Sequence, residues 1–154
     1  MIAVLQRVFN ASVIADGVES GKIGKGLYIL LGVEKGDDEE DSILLADKIC
    51  KLRIFTDEND KMNLSLKDVS GEILVVSNFT LNANYKHGNR PDFLNALEPA
   101  EANRLYHVFA SRVKANIGDC QMGVFGADMR TEMATDGPVT IVMDSAVLRR
   151  KGNA

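Results

Sequence analysis

Apolar residues recur along this chain with two periods, and the places where the period changes mark its elements. Residues 1 to 9 are mostly apolar and predict a strand; residues 12 to 15 continue extended, and Asp16-Gly17 is a strong hairpin signal. Residues 26 to 33, rich in Leu and Ile, predict a buried strand. The period then lengthens. Leu45, Ile49 and Leu52 stand at i, i+4 and i+7, giving a helix over residues 38 to 52, and the acidic run from Asp37 to Asp41 suits its positive N-terminal end. A polar turn at residues 57 to 60 separates residues 53 to 56 from a short extended piece at 62 to 66. Residues 72 to 76, apolar on both faces, predict a central strand. Residues 82 to 97 read as a loop, most irregular at Gly88-Asn89-Arg90-Pro91, and loops of that length in compact domains are often functional. A second helix starts near Pro99, lines one face with Ala102, Leu105, Phe109 and Val113, and stops at Gly118.

Near the C-terminal end, residues 129 to 134 and 139 to 143 both read as strands, with Thr135-Asp136-Gly137-Pro138 between them. The composition predicts a hairpin turn. A sharper alternative is a turn that offers bare carbonyl oxygens to something outside the sheet, since proline has no amide donor and glycine enters conformations closed to other residues. The isomer of the bond is not read from sequence, because only about 5 to 6% of X-Pro bonds are cis. Together these elements predict an α+β fold: one domain over residues 1 to 154, with a curved, largely antiparallel, barrel-like β core covered on one side by helices.

At 154 residues the chain can hold a core without staples, burying roughly 70% of its unfolded surface. The net charge of −4 argues against generic nucleic-acid binding, which depends on cations that neutralise phosphates. Local basic clusters remain at Lys22 and Lys25, at Lys86 with Arg90, and at Arg149-Arg150-Lys151. Cys50 and Cys120 lie far apart without C-x-x-C spacing, and the first residues lack the pattern of a signal peptide, so the expected compartment is the cytoplasm. No apolar run approaches the roughly 20 residues that cross a bilayer.

The two histidines, His87 and His107, stand in no metal-ligand spacing, and no metal or cofactor is expected. A Ser77–His87 pair stays open, because triads are set by geometry. The signatures of α/β-hydrolases, P-loops and Rossmann folds are absent. Ser77-Asn78-Phe79-Thr80-Leu81 directly follows the apolar strand at 72 to 76. It reads either as a fraying strand whose Ser and Asn bond to local backbone, or as a cradle for an oxyanion or ester. The small residues between Gly123 and Met129 would let a ligand approach closely, although a β-bulge explains them as well.

These stretches, in this order, resemble the D-aminoacyl-tRNA deacylases. The resemblance rests on Gln6-Arg7-Val8, Leu31-Gly32-Val33, Lys61-Met62-Asn63-Leu64, the Ser77 to Leu81 run, Gly88-x-Arg90-Pro91, Gly123-x-Phe125-x-Ala127-x-Met129, and Asp136-Gly137-Pro138-Val139-Thr140. It implies a homodimer that hydrolyses the ester joining a D-amino acid to the terminal adenosine of tRNA, and also glycyl-tRNA mischarged on tRNA-Ala. It implies that Ser77, Phe79 and Thr80 are the catalytic segment, with backbone amides of Phe79 and Thr80 facing the ester. Asn78, Leu81, Phe125 and Met129 would bind substrate. Gly137 and Pro138, joined by a cis bond and held by Arg7, would enter the partner's pocket and reject L-amino acids. Thr80 lacks an evident base, so an orienting role is expected, with water attacking the ester and the substrate's ribose hydroxyl assisting. Two positions depart from the pattern: Asn78 replaces the usual glutamine, and Thr135 stands where asparagine is common. The competing readings are a binding module of the same fold without turnover, and a relative with a trans Gly-Pro bond acting on L-aminoacyl-tRNA.

Overall fold

The first strand organises the molecule. β1 (Ile2–Ala15) pairs on one side with β2 (Val18–Ile23) and β3 (Gly26–Gly32), and on the other with β8 (Met129–Asp144), all antiparallel. β3 leads on to β6 (Glu72–Ser77) and then β7 (Gln121–Met122), both parallel, while β4 (Phe55–Thr56) and β5 (Met62–Leu64) form a separate hairpin. The structure is a computed structural model and describes residues 1–149. Arg150 and Lys151 of the C-terminal basic cluster therefore lie outside the described residues, while Arg149 lies 3.1 Å from Asp41 at the first turn of α1 (Glu39–Lys51). The sheet curls almost shut: a Cβ on Gly21 of β2 would lie 3.1 Å from the Met122 carbonyl oxygen of β7. The expected α+β architecture with a barrel-like core is the one found.

Both long helices begin and end where their signals stand. Asp38 caps α1 through a capping box with Asp41, and α2 (Pro99–Ile117) starts with proline in its first turn and ends at Gly118, whose φ is 95°. Their apolar stripes cover one face of the sheet. Ala3, Leu5, Leu27, Ile29, Leu31, Ile73 and Val75 meet Leu45, Ile49, Leu105, Phe109 and Val113 in the main core. The opposite face gathers Val8, Ala11, Val13, Ile23, Tyr28, Leu74 and Val76 into a smaller core inside the curl. β1 serves both faces because its alternation slips, as its register against β8 shifts between Gln6 and Asn10.

β1 runs unbroken from Ile2 to Ala15, joining the expected strand and its extended continuation, and two other details differ from the sequence expectations. The polar run after β6 is a turn of 3-10 helix, Phe79–Asn82, capped by Asn78. The stretch around Gly137-Pro138 is not a hairpin: β8 runs on through it, with Thr135 opposite Val8 and Thr140 opposite Gln6. Residues 136 to 139 therefore swell out opposite Arg7 alone, because β1 holds both halves of β8 in one line.

Candidate active site

On the open face, the C-terminal end of β6 delivers the polar run to a cavity of about 770 Å³. Its walls come from β3 (Tyr28, Leu30), from Ser77, Asn78 and Phe79, from Phe93 of the long loop, and from Phe125, Met129 and Thr131. The turn sits close to β3 because residue 32 is glycine: a Cβ there would lie 2.9 Å from the Leu81 Cβ and 3.1 Å from the Asn78 carbonyl oxygen. Leu81 thus packs the turn onto β3 and does not line the cavity, and Thr80 does not line it either.

The Asn78 side chain folds back on its own turn. Its Oδ1 accepts from the Thr80 amide at 3.3 Å and from the Thr80 hydroxyl at 2.5 Å. The Thr80 hydroxyl thus donates to an amide oxygen, which is no base. The Asn78 amide is spent on the Leu31 carbonyl at 2.8 Å, and the Leu81 amide on Asn78 at 3.3 Å. Among the described residues the Phe79 amide has no protein acceptor. It stands at the N-terminus of the turn, at the wall of the cavity, as a free donor for an anionic oxygen. Phe79 is 60% exposed, and its ring meets that of Phe93 edge-on at a centroid distance of 5.1 Å. No hydrogen bond joins Ser77 to His87 among the described residues, and His87 is exposed in the loop; His107 Nδ1 lies 2.9 Å from the Asn103 carbonyl on α2.

Arg7 is buried, at 7% exposure, in a strand paired on both sides, and is not the surface arginine of an edge strand. Its Nη1 donates to the Ile54 carbonyl at 2.7 Å, its Nη2 donates to Asp136 Oδ1 at 3.3 Å, and its Nε lies 3.2 Å from Asp136 Oδ2. The guanidinium thereby holds the residue just before Gly137. The Gly137-Pro138 peptide is cis, and Gly137 has φ 128°. A Cβ on Gly137 would lie 2.7 Å from the Val139 amide nitrogen and 2.9 Å from its Cγ2, so only glycine fits. Gly137 and Pro138 are exposed and do not line this chain's cavity. Thr131 and Gly137 lie on one strand, separated by roughly 20 Å at about 3.3 Å per residue.

Several site residues carried no evident signal. Tyr28 points its hydroxyl, 2.9 Å from the Thr131 hydroxyl, into the deep wall, and burial raises its pKa; a polar tip in the apolar run at 26 to 33 is the clue. Tyr106 was legible only as a helix residue. Buried, its hydroxyl reaches the Val75 carbonyl of β6 at 2.9 Å and the carbonyl of Gly123, the residue after β7, at 3.2 Å, and its ring lies 6.0 Å from Phe125. Burial pushes the Cys120 thiol up to about 12, which leaves it protonated and unreactive. No group of His, Cys, Asp and Glu suited to a metal ion exists among the described residues.

The profile of a family described as D-Tyr-tRNA(Tyr) deacylase matches residues 4–144. The chain is similar to D-aminoacyl-tRNA deacylases of Pelobacter propionicus, with 51% identity over 94% of this chain and 99% of the relative, and of Pseudoalteromonas translucida, with 53% identity over 91% and 97%. Among solved structures it is similar to the c-Myc DNA unwinding element binding protein, with TM-score 0.87 and 37% identity over 94% of this chain and 98% of the other. A probable eukaryotic D-amino acid tRNA deacylase shares the fold, with TM-score 0.79 and 17% identity over 92% of this chain and 97% of the other. The chain belongs to the D-aminoacyl-tRNA deacylase family and is an enzyme of the hydrolase class.

Proposed function

We propose that this enzyme works as a cytoplasmic homodimer that hydrolyses the ester of D-aminoacyl-tRNA, and of glycine mischarged on tRNA-Ala, to free amino acid and tRNA. The terminal adenosine enters the cavity between Phe125 and Met129, and the ester lies at the N-terminus of the 3-10 turn. Water adds to the ester carbonyl with help from the neighbouring ribose hydroxyl. The oxyanion that forms receives a hydrogen bond from the Phe79 amide. Collapse of the tetrahedral intermediate breaks the bond to the ribose oxygen, which leaves with a proton as the hydroxyl. The protein contributes position and charge stabilisation rather than a nucleophile, and Thr80 orients the turn through Asn78.

Selectivity comes from the second copy. Carbonyl oxygens of Gly137 and Pro138 of the partner subunit receive the substrate's α-ammonium group. With ammonium and ester both fixed, an L side chain is driven into backbone, while a D side chain or the hydrogen of glycine points away. Two observations support an arrangement in trans. Gly137 and Pro138 do not line their own chain's cavity, and β8 is a 16-residue strand paired on one side only among the described residues, with Val142 exposed, an edge that natural proteins cover. No helix among the described residues is long and apolar enough to cross a membrane.

The observation that carries the chemistry is the unpartnered Phe79 amide at the cavity wall. Incubation with D-Tyr-tRNA, L-Tyr-tRNA and Gly-tRNA tests the proposal. Loss of the D-Tyr and Gly esters with L-Tyr-tRNA left intact is expected. No turnover of any would make this a binding module, and efficient L-Tyr-tRNA cleavage would remove the filter.

A further inference from the structure

The long loop before α2 carries a structure the hydrolysis does not use. Asn84 and Asp92 close it like a clasp: the Asn84 amide donates to the Asp92 carbonyl at 2.8 Å, the return bond is 2.9 Å, and the Asn84 side-chain amide donates to the Asp92 carboxylate at 3.2 Å. Every residue from 85 to 91 is exposed. Tyr85, at 82% exposure, is the most exposed large side chain with apolar character among the described residues. The charged residues between the two ends of the clasp are Lys86 and Arg90, both positive on a chain of net charge −4, with His87 beside them. Neither forms an ion pair among the described residues. Directly after the clasp, Phe93 turns back to line the cavity and to meet the Phe79 ring.

An exposed aromatic ring followed by two unpaired cations, on a projection pinned at its base, is the combination that holds single-stranded nucleic acid: the ring stacks on a base and the cations follow the phosphates. We propose that residues 85 to 91 form an arm that grips the single-stranded RNA leading to the reacting nucleotide, outside the cavity, with Tyr85 stacking on a base and Lys86 and Arg90 on flanking phosphates. The identity of the RNA as a tRNA end rests on the function proposed above; the arm itself rests on the loop. It gives an acidic protein two unpaired cations with which to meet a polyanionic substrate beside the cavity. The neighbouring carboxylate does not oppose it, since Asp92 is engaged by the Asn84 side chain and the Leu94 amide.

The test measures binding of a fluorescent single-stranded RNA ending in CCA, and of deacylated tRNA, over a range of salt. Neither is turned over, so the readout does not depend on catalysis. In Lys86→Ala/Arg90→Ala the affinity at low salt falls at least tenfold and the slope of log affinity against log salt flattens by about 1.4, at about 0.7 per phosphate contact on a single strand. Tyr85→Ala weakens binding at least fivefold, converted from about 1 kcal/mol for one stacked base, with an unchanged slope. Hydrolysis of the D-tyrosyl ester of adenosine alone stays within twofold of wild type in all variants, which also reports an intact fold. Unchanged affinity and slope overturn the arm, as does a parallel fall for the adenosine ester, which would make the loop a mere support of the cavity. Arm-dependent RNA binding by an enzyme that cleaves no D-ester leaves the arm standing and refutes the proposed hydrolysis instead.

Discussion

Leu27, Ile29 and Leu31 of β3 point into the helix layer, while Tyr28 and Leu30 between them point to the other side, where the cavity lies. β6 repeats the pattern, with Ile73 and Val75 towards the helices and Leu74 and Val76 away. The helix side is closed by two long amphipathic helices and packed except at its edge, where Leu31, Val33 and Ala102 also border the cavity. The other side is roofed only by the curl of β2, β7 and β8, and opens where the roof ends. The same two strands therefore divide the work, because side chains alternate across a sheet: one face supplies stability, the other keeps space for a ligand. Substitutions on the two faces should separate stability from activity.

The largest effect is expected on the packed face. Phe109→Ala, at a fully buried position of α2, should cost about 3 to 5 kcal/mol by denaturant unfolding, with little change in turnover per folded molecule. Arg7→Ala stands between the two regimes. It frees Asp136 and leaves the Ile54 carbonyl without its donor, so stability should fall by about 1 to 3 kcal/mol, and the ratio of D-Tyr- to L-Tyr-tRNA hydrolysis should fall with it. On the open face, Thr80→Ala should lower kcat less than about tenfold with stability almost unchanged, whereas loss of a nucleophile costs about a millionfold. A collapse of turnover with substrate binding retained would make Thr80 the nucleophile. The smallest effect belongs to the link between the helices. Arg112 holds the Asp47 carboxyl below the usual carboxylate range, with Asn116 adding to it. A lowered carboxyl pKa gives stability that is present above the ordinary carboxylate range and lost as pH falls through the lowered value. The stability gap between wild type and Asp47→Asn should be small at neutral pH and close on acidification; a gap that stays constant with pH would remove the ion pair as its cause.

The sequence made the helices legible because their ends are written locally: Asp38 as a cap, Pro99 in the first turn, Gly118 after the last. It misled at Gly137-Pro138 for the converse reason. Those residues have the composition of a reversal, but the partner that keeps the strand straight is β1, more than a hundred positions away, with Arg7 placed under the swelling. The run at Ser77 does border the cavity through Ser77, Asn78 and Phe79, and the first of its two readings is partly met. Asn78 does bond to local backbone, and in doing so it shapes the turn that leaves the Phe79 amide free. Phe93, Tyr28 and Thr131 joined the cavity only through folding, since each comes from a segment whose local pattern is complete without a ligand.

The central claim is that one copy's Gly137-Pro138 swelling guards the other copy's cavity, and a mixed dimer tests it most directly. One chain carries Gly137→Ala and keeps its cavity; the other keeps Gly137 and has its cavity filled by Met129→Arg. The only working cavity is then faced by a wild-type Gly137 if the filter acts in trans, and by the altered one if it acts in cis. A D-Tyr to L-Tyr hydrolysis ratio equal to that of the wild-type dimer is the expected result. A ratio equal to that of the Gly137→Ala homodimer would contradict it.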